Sequence, residues 1–152
     1  AEVIGFVPNH WHEDCMGGLA YLQQNGIPSF ANRRTVEIAG ERGLPVPGIA
    51  FEDSLTLWLN EQPVKCYFPG PAHSMDNIVV WLPNEEILFA GCLCKEMASA
   101  GLGNTADGSL PEWATTIEKI QTAFPHALIV VPGHGKPGGP ELLQHTRDLC
   151  PK

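Results

Sequence analysis

The sequence is short of basic residues. It has nine Lys and Arg against seventeen Asp and Glu, which gives a formal net charge of −8 at pH 7. A nucleic-acid-binding surface needs clustered Lys and Arg to neutralise phosphates, and only a local patch could supply them here. We therefore expect no nucleic-acid partner.

Long hydrophobic runs are also absent. No apolar stretch reaches the roughly 20 residues that a membrane helix needs, so we expect no membrane span. The start Ala1-Glu2-Val3 lacks the basic flank and apolar stretch of a signal peptide. At 152 residues and 43% hydrophobic content, the chain has enough apolar material for one globular domain over residues 1–152.

The cysteines do not form an even set. There are five, at Cys15, Cys66, Cys92, Cys94 and Cys150, so at least one is unpaired and their scatter does not suggest a disulfide framework. The 16 Gly and 14 Pro fall mainly between candidate elements. These features predict an α/β chain that is rich in loops.

Apolar and alternating stretches predict the strands. Residues 3–7 and 127–131 are short and apolar with β-branched side chains, as in buried strands. Two hairpins are predicted, from residues 54–59 with 64–68 and from residues 78–82 with 87–90. The second hairpin is strongly apolar, so its strands should be central and covered by helices.

Capping residues and periodic apolar side chains predict the helices. Ser109 and Glu112 form a capping box before a helix with one apolar face. The other predicted helices end near Gly26, follow a cap at Asn32, and cover residues 140–149. Residues 99–109 are rich in Gly, Ser, Asn and Asp, which predicts a surface loop.

The strongest chemical signal is His10-Trp11-His12-Glu13-Asp14, which follows the first predicted strand. Imidazole and carboxylate groups are ordinary zinc ligands, yet this motif alone fits polar loop histidines and a helix cap equally well. His73, Cys92 and His134 also lie in loops at the ends of apolar strands. Taken one at a time, the two histidines could be turn residues and the cysteine a buried thiol. Together with the first motif they make six ligand-type residues at strand ends, which predict a metal centre.

These stretches resemble the metallo-β-lactamase superfamily, and Cys92 narrows the resemblance to β-lactamases with a three-histidine site beside an Asp-Cys-His site. The stretches that carry it are residues 10–18, 70–77, 90–95, 101–104 and 132–135. The resemblance spans essentially the whole chain. It implies part of a four-layer αβ/βα sandwich with mixed β-sheets covered by helices, in a single domain that lacks the family's N-terminal segment.

The resemblance also implies two Zn²⁺ ions per chain. The ligands of the first would be His10, His12 and His73, and those of the second would be Asp14, Cys92 and His134. A zinc-bound hydroxide would then hydrolyse the amide bond of a small-molecule β-lactam, in the periplasm. The missing N-terminal segment would be the chain's other partner.

Asp14, Lys95 and Asn104 would be catalytic residues by the same resemblance. Lys95 would bind the carboxylate of the substrate, and Asn104 would stabilise the oxyanion. A solvated loop lysine and a turn asparagine are the alternatives for these two. Asp76 resembles an aspartate that holds the metal-bearing loops in place, with a plain turn carboxylate as its alternative.

Two other functions stay open. The first is a related hydrolase of thioesters or phosphodiesters, which usually has a histidine after the aspartate and a bridging aspartate where this chain has Cys15 and Cys92. The second is a zinc-binding fragment without catalytic activity. The roles of Cys15 and Cys94 are undetermined, and we interpret His126 and His145 as surface residues.

Overall fold

Seven strands and five helices alternate along the chain, and the computed structural model describes all of residues 1–152. The strands are β1 (Phe30–Asn32), β2 (Ile49–Phe51), β3 (Ser54–Leu59), β4 (Gln62–Tyr67), β5 (Val79–Leu82), β6 (Ile87–Gly91) and β7 (Ile129–Pro132). The helices are α1 (Glu13–Met16), α2 (Leu19–Gln24), α3 (Arg33–Glu41), α4 (Leu110–Ala123) and α5 (Glu141–Leu149). None of these helices has the length and apolar content that a bilayer crossing requires.

The larger sheet contains β3 to β7 in chain order. Neighbouring strands are antiparallel from β3 to β6, whereas β6 and β7 are parallel. Both predicted hairpins are confirmed. The first turns at Asn60, whose φ of 57° is one that asparagine tolerates well. Both strands of the second hairpin lie inside the sheet, as predicted, but Phe89 of β6 is 42% exposed, so helices do not cover the whole strand.

The main core lies between the larger sheet and the helices α4 and α5. Trp113, Ile117 and Ile120 of α4 are fully buried, together with Leu88 of β6 and Val130 of β7. The predicted apolar face of α4 is therefore confirmed. The capping box is not formed in full, because the Ser109 hydroxyl donates to the Glu112 carboxylate at 2.7 Å and makes no hydrogen bond to the helix backbone.

The helical predictions for the first forty residues are partly confirmed. Asn32 caps α3 by accepting a hydrogen bond from the Arg34 amide at 3.0 Å. The helix predicted to end near Gly26 is preceded by a separate short helix, since α1 and α2 are divided at Gly17 and Gly18. Residues 99–109 form an irregular loop, as predicted.

The strand predicted over residues 3–7 is wrong in extent. Only Phe6 forms a bridge, with Ser29, and the side chains of Val3 and Ile4 are 56% and 53% exposed. An apolar run becomes a buried strand only where neighbouring chain pairs with it and covers it, and here pairing is limited to one bridge. The parallel pair β1–β2 was not predicted, because three-residue strands are too short to show alternation.

Candidate metal centre

Three imidazole rings meet at one end of a cleft. His10 and His12 lie just before and at the start of α1, and His73 lies in the loop that precedes β5. One nitrogen atom of each ring is within 4.8 Å of the others. His10 is fully buried and His73 is 6% exposed, so the polypeptide holds both rings in place. The structure thus brings the three predicted histidines together.

Hydrogen bonds determine which nitrogen atoms face the cleft. His10 Nδ1 lies 3.0 Å from the Asn9 amide oxygen, while the Asn9 amide nitrogen donates to the carbonyl of Ile78. An amide oxygen only accepts, so His10 Nδ1 carries the proton and Nε2 keeps its lone pair. The Asp107 carboxylate likewise lies 2.9 Å from His12 Nε2, which leaves the lone pair on Nδ1.

The two free nitrogen atoms face each other. His10 Nε2 and His12 Nδ1 are 3.1 Å apart. Two lone pairs at this distance repel unless a proton or a cation lies between them. Tetrahedral zinc with ligands at 2.0–2.3 Å separates its donor atoms by about 3.3–3.8 Å, close to this spacing. The pair is therefore suited to a metal ion.

A second group of donors meets at the Asp14 carboxylate. Asp14 Oδ2 lies 3.1 Å from His134 Nε2 and 3.6 Å from Cys92 Sγ. The other carboxylate oxygen lies 3.7 Å from His10 Nε2, so Asp14 reaches the three-histidine group as well. The structure brings together the predicted Asp-Cys-His set. The Asp14 carboxylate contacts this set with one oxygen and the three-histidine group with the other.

The electrostatics of the cleft favour a neutral His73 ring and an ionised Asp14 carboxylate. Burial, reinforced by the neighbouring His10, lowers the pKa of His73 to about 4. Burial opposes ionisation of Asp14, but His10 and the hydrogen bonds from Cys92 and His134 outweigh it and lower the pKa. Hydrogen bonding with Cys15 and burial raise the pKa of Cys92, and a coordinated metal ion would reverse this by deprotonating the thiol.

The cleft has a volume of about 600 Å³ and is lined mainly by polar residues. Lys95 and Asn104 both line it, beside residues of the two donor groups. Lys95 is half-buried, and burial lowers its pKa. The Asn104 side-chain oxygen accepts a hydrogen bond from the Ala106 amide at 3.1 Å. That bond fixes the side chain and leaves its NH₂ group free to donate.

Known proteins resemble the chain over nearly its full length, although no family model matches it. A metallo-β-lactamase type 2 from Bacteroides fragilis is 50% identical over 98% of this chain and 60% of its own length. A metallo-β-lactamase structure from Pontibacter korlensis has a TM-score of 0.92 and 41% identity, over 94% of this chain and 66% of its own. The DIM-1 metallo-β-lactamase structure has a TM-score of 0.92 and 34% identity, over 96% of this chain and 68% of its own.

The chain belongs to the metallo-β-lactamase family. Its mixed sheets and helices are part of that family's αβ/βα sandwich, as the sequence predicted. Membership of this family implies that the chain binds zinc, and the donor residues of the cleft are of the types that bind zinc in proteins. The chain spans about 60% of the length of the B. fragilis relative.

Two residues that orient predicted metal ligands were missed from the sequence. Asn9 orients His10, and Asp107 orients His12. Asn9 lies next to the motif, but an asparagine after a strand reads as a turn residue. Asp107 lies in a loop rich in Gly, Asn and Asp, so nothing in its surroundings distinguishes it from a solvated carboxylate.

The structure also places the other residues that the sequence analysis singled out. Asp76 is fully buried and accepts a hydrogen bond from the Thr35 hydroxyl at 2.7 Å, which joins α3 to the loop of His73. Cys15 is half-buried, and its hydrogen bond with Cys92 lowers its pKa. Cys94 is buried at the cleft wall. His126 is exposed as expected, whereas His145 is half-buried and donates to the Ser99 carbonyl at 2.9 Å.

Proposed function

We propose that the protein containing this chain hydrolyses the amide bond of β-lactams with two zinc ions. The observation that carries this proposal is the pair of donor groups in one cleft, with the Asp14 carboxylate reaching both. The name of the B. fragilis relative supports the same reaction. A small-molecule β-lactam would occupy the remaining space of the cleft.

The donor groups divide naturally between two ions. His10, His12 and His73 would hold the first, and Asp14, Cys92 and His134 would hold the second. The facing lone pairs of His10 and His12 support the first assignment, and the contacts of Asp14 with Cys92 and His134 support the second. Bound zinc lowers the pKa of coordinated water into the neutral range and polarises a carbonyl oxygen.

Three side chains of the cleft would act on water and substrate. Asp14 is kept ionised by its low pKa, so it can orient a water molecule by accepting a hydrogen bond. Lys95 would bind the carboxylate of the substrate as a point charge. Asn104 would donate its free NH₂ group to the carbonyl oxygen as negative charge develops there.

We also propose that residues 1–152 are part of a single domain that an N-terminal segment completes. An apolar cavity of about 250 Å³ lies between Ile4, Phe30 and Trp58, and the Trp58 side chain is 65% exposed. Apolar surface of this kind is normally covered in a folded domain. The relatives' greater length supports a covering segment. Location in the periplasm is a proposal that rests on the family resemblance.

The proposed function is tested by metal content and turnover together. We would purify the chain with zinc present, measure zinc per protein by elemental analysis, and assay nitrocefin and a carbapenem with and without chelator. A Cys92→Ser variant removes one proposed ligand. Cys150→Ser is the matched control, because this buried thiol lies on α5's C-terminal side and hydrogen bonds only to the Thr146 carbonyl.

Two zinc ions and chelator-sensitive turnover, both reduced in Cys92→Ser but not in Cys150→Ser, are the expected result. Two zinc ions without β-lactam turnover would contradict the activity of this chain alone. Assays of thioester and phosphodiester substrates, and of a longer polypeptide, would then separate a related hydrolase from a zinc-binding fragment. A chain that binds no zinc would contradict the metal assignment itself.

A further inference from the structure

The loop that carries His134 runs directly against the loop that carries Cys92. A Cβ atom added at Gly133 would overlap the Cys92 side chain and lie 2.6 Å from its backbone nitrogen. A Cβ added at Gly135, where φ is +88°, would overlap the Glu96 carboxyl group. Both neighbours of His134 thus contact the 92–96 stretch so closely that only glycine fits.

The Glu96 carboxylate joins the two loops by a hydrogen bond. Its Oε2 atom accepts from the Lys136 backbone amide at 2.9 Å, two residues beyond His134. Glu96 is half-buried and lines the cleft. This hydrogen bond connects the backbone beyond His134 to the 92–96 stretch, so it can fix the loop.

Glu96 itself stands on a stretch that is fixed to α5. The Lys95 amide donates to the Thr146 hydroxyl at 2.7 Å, and His145 Nε2 donates to the Ser99 carbonyl at 2.9 Å. These bonds hold residues 95–99 at both ends. The carboxylate of Glu96 therefore projects from a well-supported part of the protein.

His134 has little support of its own. Its side chain is 74% exposed, and its hydrogen-bond partner is the Asp14 carboxylate at 3.1 Å. With so few contacts, the position of the ring depends on the backbone on either side of it. That backbone is held by Cys92 on one side and by Glu96 on the other.

We propose that Glu96 is a positioning residue that holds the His134 loop against the Cys92 loop, so that His134 completes the second metal site. This inference rests on the proposed zinc centre and adds a residue to which the proposed function gives no role. Residues that orient metal ligands typically change metal affinity by roughly 10–100-fold when they are removed.

The test is a Co²⁺ titration of the metal-free full chain. Absorption from the thiolate–Co²⁺ bond reports the Cys92 site, and competition with a chelator gives the affinity of each equivalent. We expect Glu96→Ala to weaken the second equivalent by roughly 10–100-fold and to leave the first unchanged. Glu96→Gln keeps an oxygen acceptor for the Lys136 amide, so it should stay close to the unsubstituted chain. Glu85→Ala, at an exposed turn residue, is the matched control.

The first equivalent serves as the internal measure of folding, because it reports the three-histidine group in the same sample. Glu96→Ala with an unchanged second equivalent, or with both equivalents equally weakened, would overturn the inference. Glu96→Gln as weak as Glu96→Ala would overturn it too, since charge and not the hydrogen bond would then matter. An unsubstituted chain without thiolate–Co²⁺ absorption would instead contradict the proposed function.

Discussion

The Asp107 carboxylate lies 2.9 Å from His12 Nε2, and this contact leaves His12 Nδ1 facing His10. A carboxylate behind a metal-binding imidazole fixes the tautomer and raises the basicity of the ring. We therefore expect Asp107→Ala to weaken binding of the proposed first zinc ion by roughly 10–100-fold, measured by chelator competition. Asp53→Ala, at an exposed turn, should leave the affinity unchanged. Equal affinity in the two variants would show that Asp107 does not orient the ring.

Trp113 links the core to the strand end that carries Cys92. Its indole nitrogen donates to the Leu93 carbonyl at 2.9 Å, and the side chain is fully buried. Trp113→Phe leaves that carbonyl without its donor, so the free energy of unfolding should fall by about 1–3 kcal/mol. Urea denaturation measures this loss. Trp58→Phe, at a 65% exposed position, should change it by less than about 0.5 kcal/mol.

The buried Asp76 carboxylate accepts a hydrogen bond from the Thr35 hydroxyl at its Oδ2 atom. Its other oxygen, Oδ1, has no hydrogen-bond partner, so the carboxylate depends on Thr35. Thr35→Val removes this donor and keeps the shape of the side chain. We expect a loss of about 2–3 kcal/mol in the free energy of unfolding. Thr35→Ser retains the hydroxyl and should lose much less. If both variants were equally destabilised in urea, the hydrogen bond would not be the cause.

Burial raises the pKa of the Cys66 thiol to about 11, against about 8.5 in an unfolded chain. Between these two pH values the unfolded chain has released the thiol proton and the folded chain has kept it. The unfolded state therefore binds fewer protons, and stability falls as pH rises from 8.5 to 11. The contribution of Cys66 to this fall in stability is about 3 kcal/mol.

Cys66→Ala is the variant that isolates this contribution, since other groups also titrate in the alkaline range. The free energy of unfolding should decrease less steeply with pH in Cys66→Ala than in the unsubstituted chain. Urea denaturation at pH 8 and at pH 11 measures this difference. Parallel pH profiles would contradict a buried, neutral thiol at this position.

Lys95 lines the cleft beside both donor groups. If it binds the substrate carboxylate, as proposed, Lys95→Ala should raise KM for nitrocefin by about tenfold, equivalent to about 1.4 kcal/mol, with a smaller change in kcat. Zinc content should stay the same. Lys65→Ala, an exposed lysine on β4, is the matched control. A fall in kcat at constant KM would assign Lys95 to the reaction step and not to binding.

The donor residues outside the first motif could be predicted from the sequence because each follows or precedes an apolar strand. Cys92 follows β6 and His134 follows β7, and these strands are parallel neighbours, so their ends meet. Asp107 could not be predicted in this way. Its partner His12 is 95 positions away, and a long-range contact between two loops leaves no periodic pattern.

The fold was predictable where alternation or helical periodicity extends over several residues, as in β3, β4 and α4. It was not predictable for β1 and β2, which have three residues each and pair with one another in parallel across α3. Val3 and Ile4 are exposed, although the sequence predicted a buried strand. Hydrophobicity shows that a segment is more stable when buried, but it does not show whether another part of the chain covers it.

The donor residues come from four separate stretches of the chain, and Asp14 and His134 are 120 positions apart. In an unfolded chain only the local histidines and aspartate of the first stretch would remain near each other. Each ion would therefore connect segments that are distant in the sequence and would bind the folded state far more tightly than the unfolded state. Zinc scarcity would then shorten the lifetime of the folded molecule as well as limit its chemistry.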